Sequence, residues 1–196
     1  MKSEICAIFA IGPDNVIGIG DKMPWHSKQD FYHYKTITKG YPCIFGDRTF
    51  FGLPEHPLRD RLNIVTAFSY KEVKIINTME TKDGKPELKG SYIEVPSIET
   101  GIELCGNYSK VFVCGGSSIY KYCLENNLID SIYLTTVESK SLEMDILKDP
   151  DKYIRFPIDI FNFLITNNWV SKEITYETLP EENSDIKVKF TKWIKS

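Results

Sequence analysis

Short, nearly continuous apolar runs alternate along this chain with segments of helical period, and that alternation narrows the fold more than any other feature. The run from Glu4 ends at Gly12-Pro13-Asp14-Asn15, which reads as a strand buried on both faces followed by a turn. Similar runs recur at residues 43–45, 62–67, 74–76, 91–95, 110–114 and 131–137. Between them, periodicity and capping residues predict helices over 27–38, 47–53, 97–106 and 117–125. The expected class is therefore α/β: a central mixed sheet, mostly parallel, flanked by helices. Residues 169–178 and 185–194 alternate in the manner of an antiparallel C-terminal hairpin, joined by 179–184. The polar stretches 78–89 and 138–152 lack a core pattern and read as surface loops.

Composition removes several function classes. A chain of 196 residues suits one domain spanning 1–196. Lys and Glu are interspersed and the net charge is -3, so there is no electrostatic footprint for nucleic acid or a membrane surface. The apolar runs are too short to span a bilayer, and a cytoplasmic monomer is expected. The five cysteines are odd in number and scattered through apolar segments without a CxxC pair, which reads as reduced core thiols. The three histidines lack metal-ligand spacing, and no metal is expected.

Three places carry polar chemistry where packing alone would not ask for it. In Gly18-Ile19-Gly20-Asp21-Lys22-Met23-Pro24-Trp25-His26-Ser27-Lys28-Gln29-Asp30-Phe31 a glycine-bearing loop leads into a helix with one early carboxylate. Ser27 and Asp30 fit a variant capping box, with Asp30 near the positive helix end. Asp30 also shares a helical face with Tyr34 and Ile37, so it looks toward apolar surroundings where a carboxylate must find donors or take up a proton. Arg61 is either a solvated partner of Asp60 or a planar fork for a ligand carboxylate. Gly115-Gly116, between a strand and a helix, is either a tight turn or a place where backbone approaches phosphate.

Taken in order, Met23-Pro24-Trp25 with Asp30, then Gly46-Asp47-Arg48-Thr49-Phe50, Leu58-Arg59-Asp60-Arg61-Leu62-Asn63 and Val113-Cys114-Gly115-Gly116-Ser117-Ser118-Ile119-Tyr120, the chain resembles the dihydrofolate reductase family. The resemblance implies that family's fold and NADPH-dependent reduction of 7,8-dihydrofolate to tetrahydrofolate. It assigns catalysis to Asp30, Trp25, Met23 and Thr135, with Asp30 gripping the pterin and Met23 and Trp25 forming a lid. It assigns the substrate slot to Ile8, Phe31, Tyr34, Lys35, Leu53, Arg61 and Cys114. Cofactor contacts fall to Ala10, Ile17, Gly18, Gly46, Arg48, Thr49, Thr66, Gly115, Gly116, Ser117, Ser118, Ile119 and Tyr120, with the hydroxyl contact in Val65-Thr66-Ala67-Phe68-Ser69 left between Thr66 and Ser69. A cis Gly115–Gly116 bond is implied as well. NADP-selective members generally place cations where Asp47 and Ser118 stand here, which implies a narrower preference for NADPH over NADH. The alternatives are a pteridine or pyrimidine reductase on the same fold and a non-catalytic folate- or nucleotide-binding protein.

Overall fold

The structure is a computed structural model, and it describes residues 2–20, 22–83, 85–175 and 185–196. In chain order the elements are β1 (Glu4–Ile11), β2 (Val16–Ile19), α1 (Lys28–Thr38), β3 (Pro42–Gly46), α2 (Asp47–Phe51), β4 (Leu62–Thr66), β5 (Lys74–Lys82), β6 (Lys85–Val95), α3 (Ile98–Glu103), β7 (Lys110–Val113), α4 (Ser117–Glu125), β8 (Ser131–Glu138), α5 (Lys140–Lys148), β9 (Tyr153–Arg155), α6 (Ile160–Thr166), β10 (Trp169–Ile174) and β11 (Lys187–Lys195). Nine strands form one sheet in the order β10-β11-β8-β1-β7-β3-β4-β6-β5. From β8 to β6 every neighbouring pair is parallel. The edges are antiparallel: β10 and β11 form the terminal hairpin beside β8, and β5 pairs with β6. Connection 179–184 lies outside the described residues.

Strand β1 shows why its sequence lacks polar alternation. Ile5, Ala7, Phe9 and Ile11 pack on one face with Val111, Val113, Ile132 and Leu134 under α3, α4 and α6. Cys6 and Ile8 pack on the other with Cys43, Phe45, Phe112 and Tyr133, beneath Tyr34 and Ile37 of α1 and Phe50 of α2. A central parallel strand buried on both faces has no position for a solvated side chain. All five cysteines are buried and unpaired. Burial pushes the Cys6 thiol up to about 11 and those of Cys105 and Cys123 up to about 12, so these three stay protonated and inert.

Two expectations need correction. Residues 78–89 are not a loop, because they make up most of the β5–β6 hairpin. Residues 138–152 contain α5, whose Ser139 cap accepts the Leu142 amide and whose Leu142 and Ile146 join Trp25 and Val16 in a third apolar cluster. A segment that buries one side chain per turn is mostly polar in sequence, so its helical period is faint. The short ribbon β2–β9 and helix α6 lie outside the sequence-predicted elements.

Helix α1 packs on the sheet through His33, whose ring stacks on Phe190 of β11 with centroids 4.4 Å apart. Burial lowers the His33 pKa from 6.5 to about 4. The unfolded chain therefore binds one proton more than the native chain between those values, and the associated stability is present above pH 6.5 and lost as pH falls through 4. The shift corresponds to about 3 kcal/mol. In urea titrations across this window the unfolding free energy should fall with pH, and His33→Gln should remove that part of the slope.

Candidate active site

The parallel strands all end at one edge of the sheet, where ligands of open α/β folds bind. The glycines and polar residues picked out in the sequence collect there. Helix α1 enters this edge with Ser27 as its cap, the Ser27 hydroxyl accepting the Asp30 amide at 3.1 Å. The cap reading of the Ser27–Asp30 spacing thus holds for Ser27, and Asp30 itself is buried. Its charge is felt by Tyr120, whose hydroxyl donates to the Ile8 carbonyl at 2.7 Å and whose pKa is pushed up by burial, then by Cys114, Cys123 and Asp30. The carboxylate therefore lies within electrostatic reach of Tyr120. Thr135 is buried on β8 in register with Ala10, the next strand over.

One turn along α1 from Asp30 the walls are apolar. Ile8, Cys114, Tyr34 and Leu53 belong to one cluster, while Phe31 and Met23 are substantially exposed. Tyr34 brings its hydroxyl beside the Cys114 thiol without hydrogen-bond geometry, and burial drives both groups upward in pKa. Trp25 is buried with its Nε1 lacking a partner among the described residues. Its ring fits against Gly12, where a Cβ would come within 2.8 Å of it. The loop between β2 and α1 is pinned by reciprocal backbone bonds between Ile19 and Lys22, and Gly20 takes φ +56. Gly18 sits in β2 beside Ile17, and β2 is tied down by β9.

Arg61 is not paired with Asp60, whose carboxylate faces Lys39 at 3.6 Å. Instead its Nε donates to Thr38 Oγ1 at 2.9 Å, its two terminal nitrogens donate to the Lys35 and Arg59 carbonyls, and the guanidinium lies over the Tyr34 ring. Three of five N–H groups are thus held by the protein, and two are left for a ligand carboxylate. The Lys35 side chain is exposed on the preceding turn of α1. Two supporting residues escaped the sequence reading. Thr38 orients Arg61, and buried Asn63 fixes the loop before it by exchanging two bonds with Leu58 and donating to the Arg61 carbonyl. An Asn within Leu62-Asn63-Ile64-Val65 was the available signal, since a buried amide must have partners.

At the far side of β7 the Gly115–Gly116 peptide is cis, as the resemblance implies. The Gly46 amide donates to the Gly115 carbonyl at 2.7 Å, so β3 and β7 end together. A Cβ on Gly116 would lie 2.7 Å from Thr49 Oγ1, and one on Gly46 would lie 3.3 Å from Ile119. Glycine is required for this close approach. Gly116 caps α4 without a side-chain acceptor, which leaves the amides of Ser117 and its neighbours for an anion. Tyr120 packs behind Gly115, in the core, a positioning place rather than a surface one. Thr66 is buried at the end of β4 in register with Gly46, whereas Ser69 is exposed on the loop beyond. Asp47 folds its carboxylate onto the Arg48 amide at 2.7 Å, and both side chains are exposed.

The sequence model of the family described as dihydrofolate reductase matches residues 4–153. The chain belongs to the dihydrofolate reductase family. Among its relatives, the dihydrofolate reductase of Candida albicans is 29% identical over 161 residues, covering 78% of this chain and 76% of that one. That of Neisseria gonorrhoeae is 33% identical over 117 residues, covering 60% and 63%. A solved structure, dihydrofolate reductase from Enterococcus faecalis complexed with NADP(H) and RAB-propyl, shares the fold with a TM-score of 0.67 at 19% identity, over 100% of this chain and 98% of that one. Fold similarity extends through β10 and β11, beyond the segment the family's sequence model matches.

The cradle formed by Gly46, Thr49, Gly115, Gly116 and the first turn of α4 suits a dinucleotide phosphate in donor type and in space. Gly116→Ala should force the Thr49 hydroxyl aside and weaken NADPH binding about tenfold or more, the scale of one lost hydrogen bond to a charged group. Quenching of tryptophan fluorescence on titration with NADPH measures this, and circular dichroism checks that the fold is kept.

Proposed function

We propose that this chain reduces 7,8-dihydrofolate to tetrahydrofolate with NADPH, in the cytoplasm. The observation that carries the reading is the buried carboxylate of Asp30 at the mouth of an apolar slot, within a chain of this family. A pterin has an amino group and a ring N–H side by side, and one carboxylate accepts both in a planar pair. Asp30 thereby orients the ring between Ile8, Tyr34, Leu53 and Cys114 and holds negative charge at its edge. Bound NADPH supplies the hydride. Asp30 also raises the proton affinity of the pterin, and protonation of the ring nitrogen proceeds through water because Asp30 lies at the opposite edge.

The remaining residues position and exclude. Thr135, buried on β8, is the partner of Asp30 in this reading, and Arg61 offers its two remaining N–H groups to the glutamate carboxylate of the folate. Trp25 supplies a buried N–H donor, and with Met23 it closes over the reacting edges to keep bulk water out. Gly18, Ile17 and Ala10 take the nicotinamide side, while the Gly46–Thr49 and Gly115–Ile119 segments take the phosphates. Thr66 is the favoured hydroxyl contact because it is next to Gly46.

Two measurements test this reading. NADPH oxidation followed spectrophotometrically should depend on added dihydrofolate, and a chain that binds both without turnover would be a binding protein instead. Asp30→Asn keeps a side chain of the same shape, so folding should survive while turnover at neutral pH falls by roughly two orders of magnitude, the scale of lost acid–base assistance. Near-normal turnover would remove Asp30 from the mechanism.

The cofactor corner generates a further prediction. Asp47 places a negative charge at the start of α2, and Ser118 brings none of the positive charge that a 2′-phosphate attracts. Each charge-assisted contact contributes ~1.5–3 kcal/mol. Asp47→Arg should therefore raise the ratio of NADPH to NADH efficiency by about tenfold or more, through a lower KM for NADPH alone. A ratio that is already large and does not respond would assign the site to Arg48 or Lys71.

A further inference from the structure

Strand β5 ends the sheet, with β6 on one side and, among the described residues, no strand on the other. It is nine residues long, against an ordinary strand of about 5–6. Ile75 is 71% exposed and Met79 58%, and Leu88, the register partner of Met79 on β6, is 62% exposed. Alternation puts Ile75, Asn77 and Met79 on one face together with Leu88. Between Thr78 and Met79 the register shifts because β6 carries the extra residue, Lys89, so the alternation of β5 itself is unbroken. A long edge with apolar side chains is a template for another strand.

The charges identify which strand. Counting outward from Asn77, Ile76 and Thr78 are equidistant, as are Ile75 and Met79, Lys74 and Glu80, and, beyond the strand start, Glu72 and Lys82. A second copy running antiparallel about Asn77 thus sets Ile75 against Met79 of the partner subunit, Lys74 against Glu80 of the partner subunit, and Glu72 against Lys82 of the partner subunit. Centring on Thr78 would oppose Lys74 to Lys82 and bring Ile76 onto Glu80. The hairpin supplies a second reason. Within one chain Glu80 stands opposite Glu87 and Lys82 opposite Lys85, and like charges directly opposed destabilise a sheet. Pairing about Asn77 brings an opposite charge to the outer side of Glu80 and of Lys82.

We propose that two copies of this chain associate through β5, antiparallel about a two-fold axis at Asn77, so that one sheet continues across the dimer. The arrangement is isologous and closes on itself. None of the residues assigned to substrate or cofactor lies on β5, so each protomer keeps a complete site. The proposal departs from the monomer expected from sequence because residues 78–82 are strand rather than loop.

Sedimentation velocity of the full chain over about a hundredfold range of concentration should show the mass rising from 22.6 kDa toward twice that value by mass action. Glu80→Lys relieves the contact with Glu87 and sets a lysine against Lys74 of the partner subunit. It should weaken the dimer about tenfold or more, without lowering kcat or the Tm of the dilute monomer. Lys74→Glu alone should weaken it likewise, and mixing the two variants should restore association as a heterodimer, because each then opposes charges of unlike sign. A wild-type chain that keeps the mass of one copy at the highest concentration, or forms a ladder of larger species, overturns the proposal. So does a Glu80→Lys variant that dimerises as the wild type does, or a mixture that stays monomeric.

Discussion

Burial of β1 on both faces is the constraint on which the rest of this structure depends. Its odd-numbered side chains enter one core and Cys6 and Ile8 the other, so helices must cover both sides of the sheet. Once both faces are covered, polar chemistry is displaced to the carboxyl edge of the strands. There the chain leaves β1, β3, β7 and β8 and meets the first turns of α1, α2 and α4. The core fixes where a ligand can be held before any functional residue is chosen.

At that edge the residues proposed for recognition also serve packing. Tyr120 fills the core behind Gly115 and, through its hydroxyl, ties β1 to α4. Gly46 joins β3 to the cis peptide after β7 while leaving the approach to Thr49 open. Asp30 follows a serine cap whose hydroxyl accepts its amide, so the helix end is closed beside a buried carboxylate. Trp25 seals the third apolar cluster with Leu142 and Ile146, elements that come more than a hundred residues later in the chain.

Most of the sheet was legible in the sequence because doubly buried strands have an unmistakable composition, and α4 was found with its first and last residues correct. The helices and strands that escaped are those whose burial is thin. Helix α5 exposes most of its surface and shows only Leu142 and Ile146 to the core, and β5 is a solvated edge whose partner β6 is also largely exposed toward its tip. The site was legible where glycine or a misplaced charge marked it, as at Asp30, Arg61 and Gly115-Gly116. Thr38 was not, since Arg61, the group it bonds, is 23 residues away and is brought near only by folding.

Arg61 is fastened to α1 at both Lys35 and Thr38, on the same helix that carries Asp30 in its first turn. A helix rises 1.5 Å per residue, so the two anchoring groups are separated by roughly 8–12 Å along one stiff rod. Such a rod is a gauge. A molecule with a flat hydrogen-bonding head and a carboxylate at the matching distance engages both marks at once, whereas a pterin without a tail engages only the first. Under the proposed function it is the length of α1, rather than the chemistry of either end, that separates a folate from the smaller pterins that share its ring.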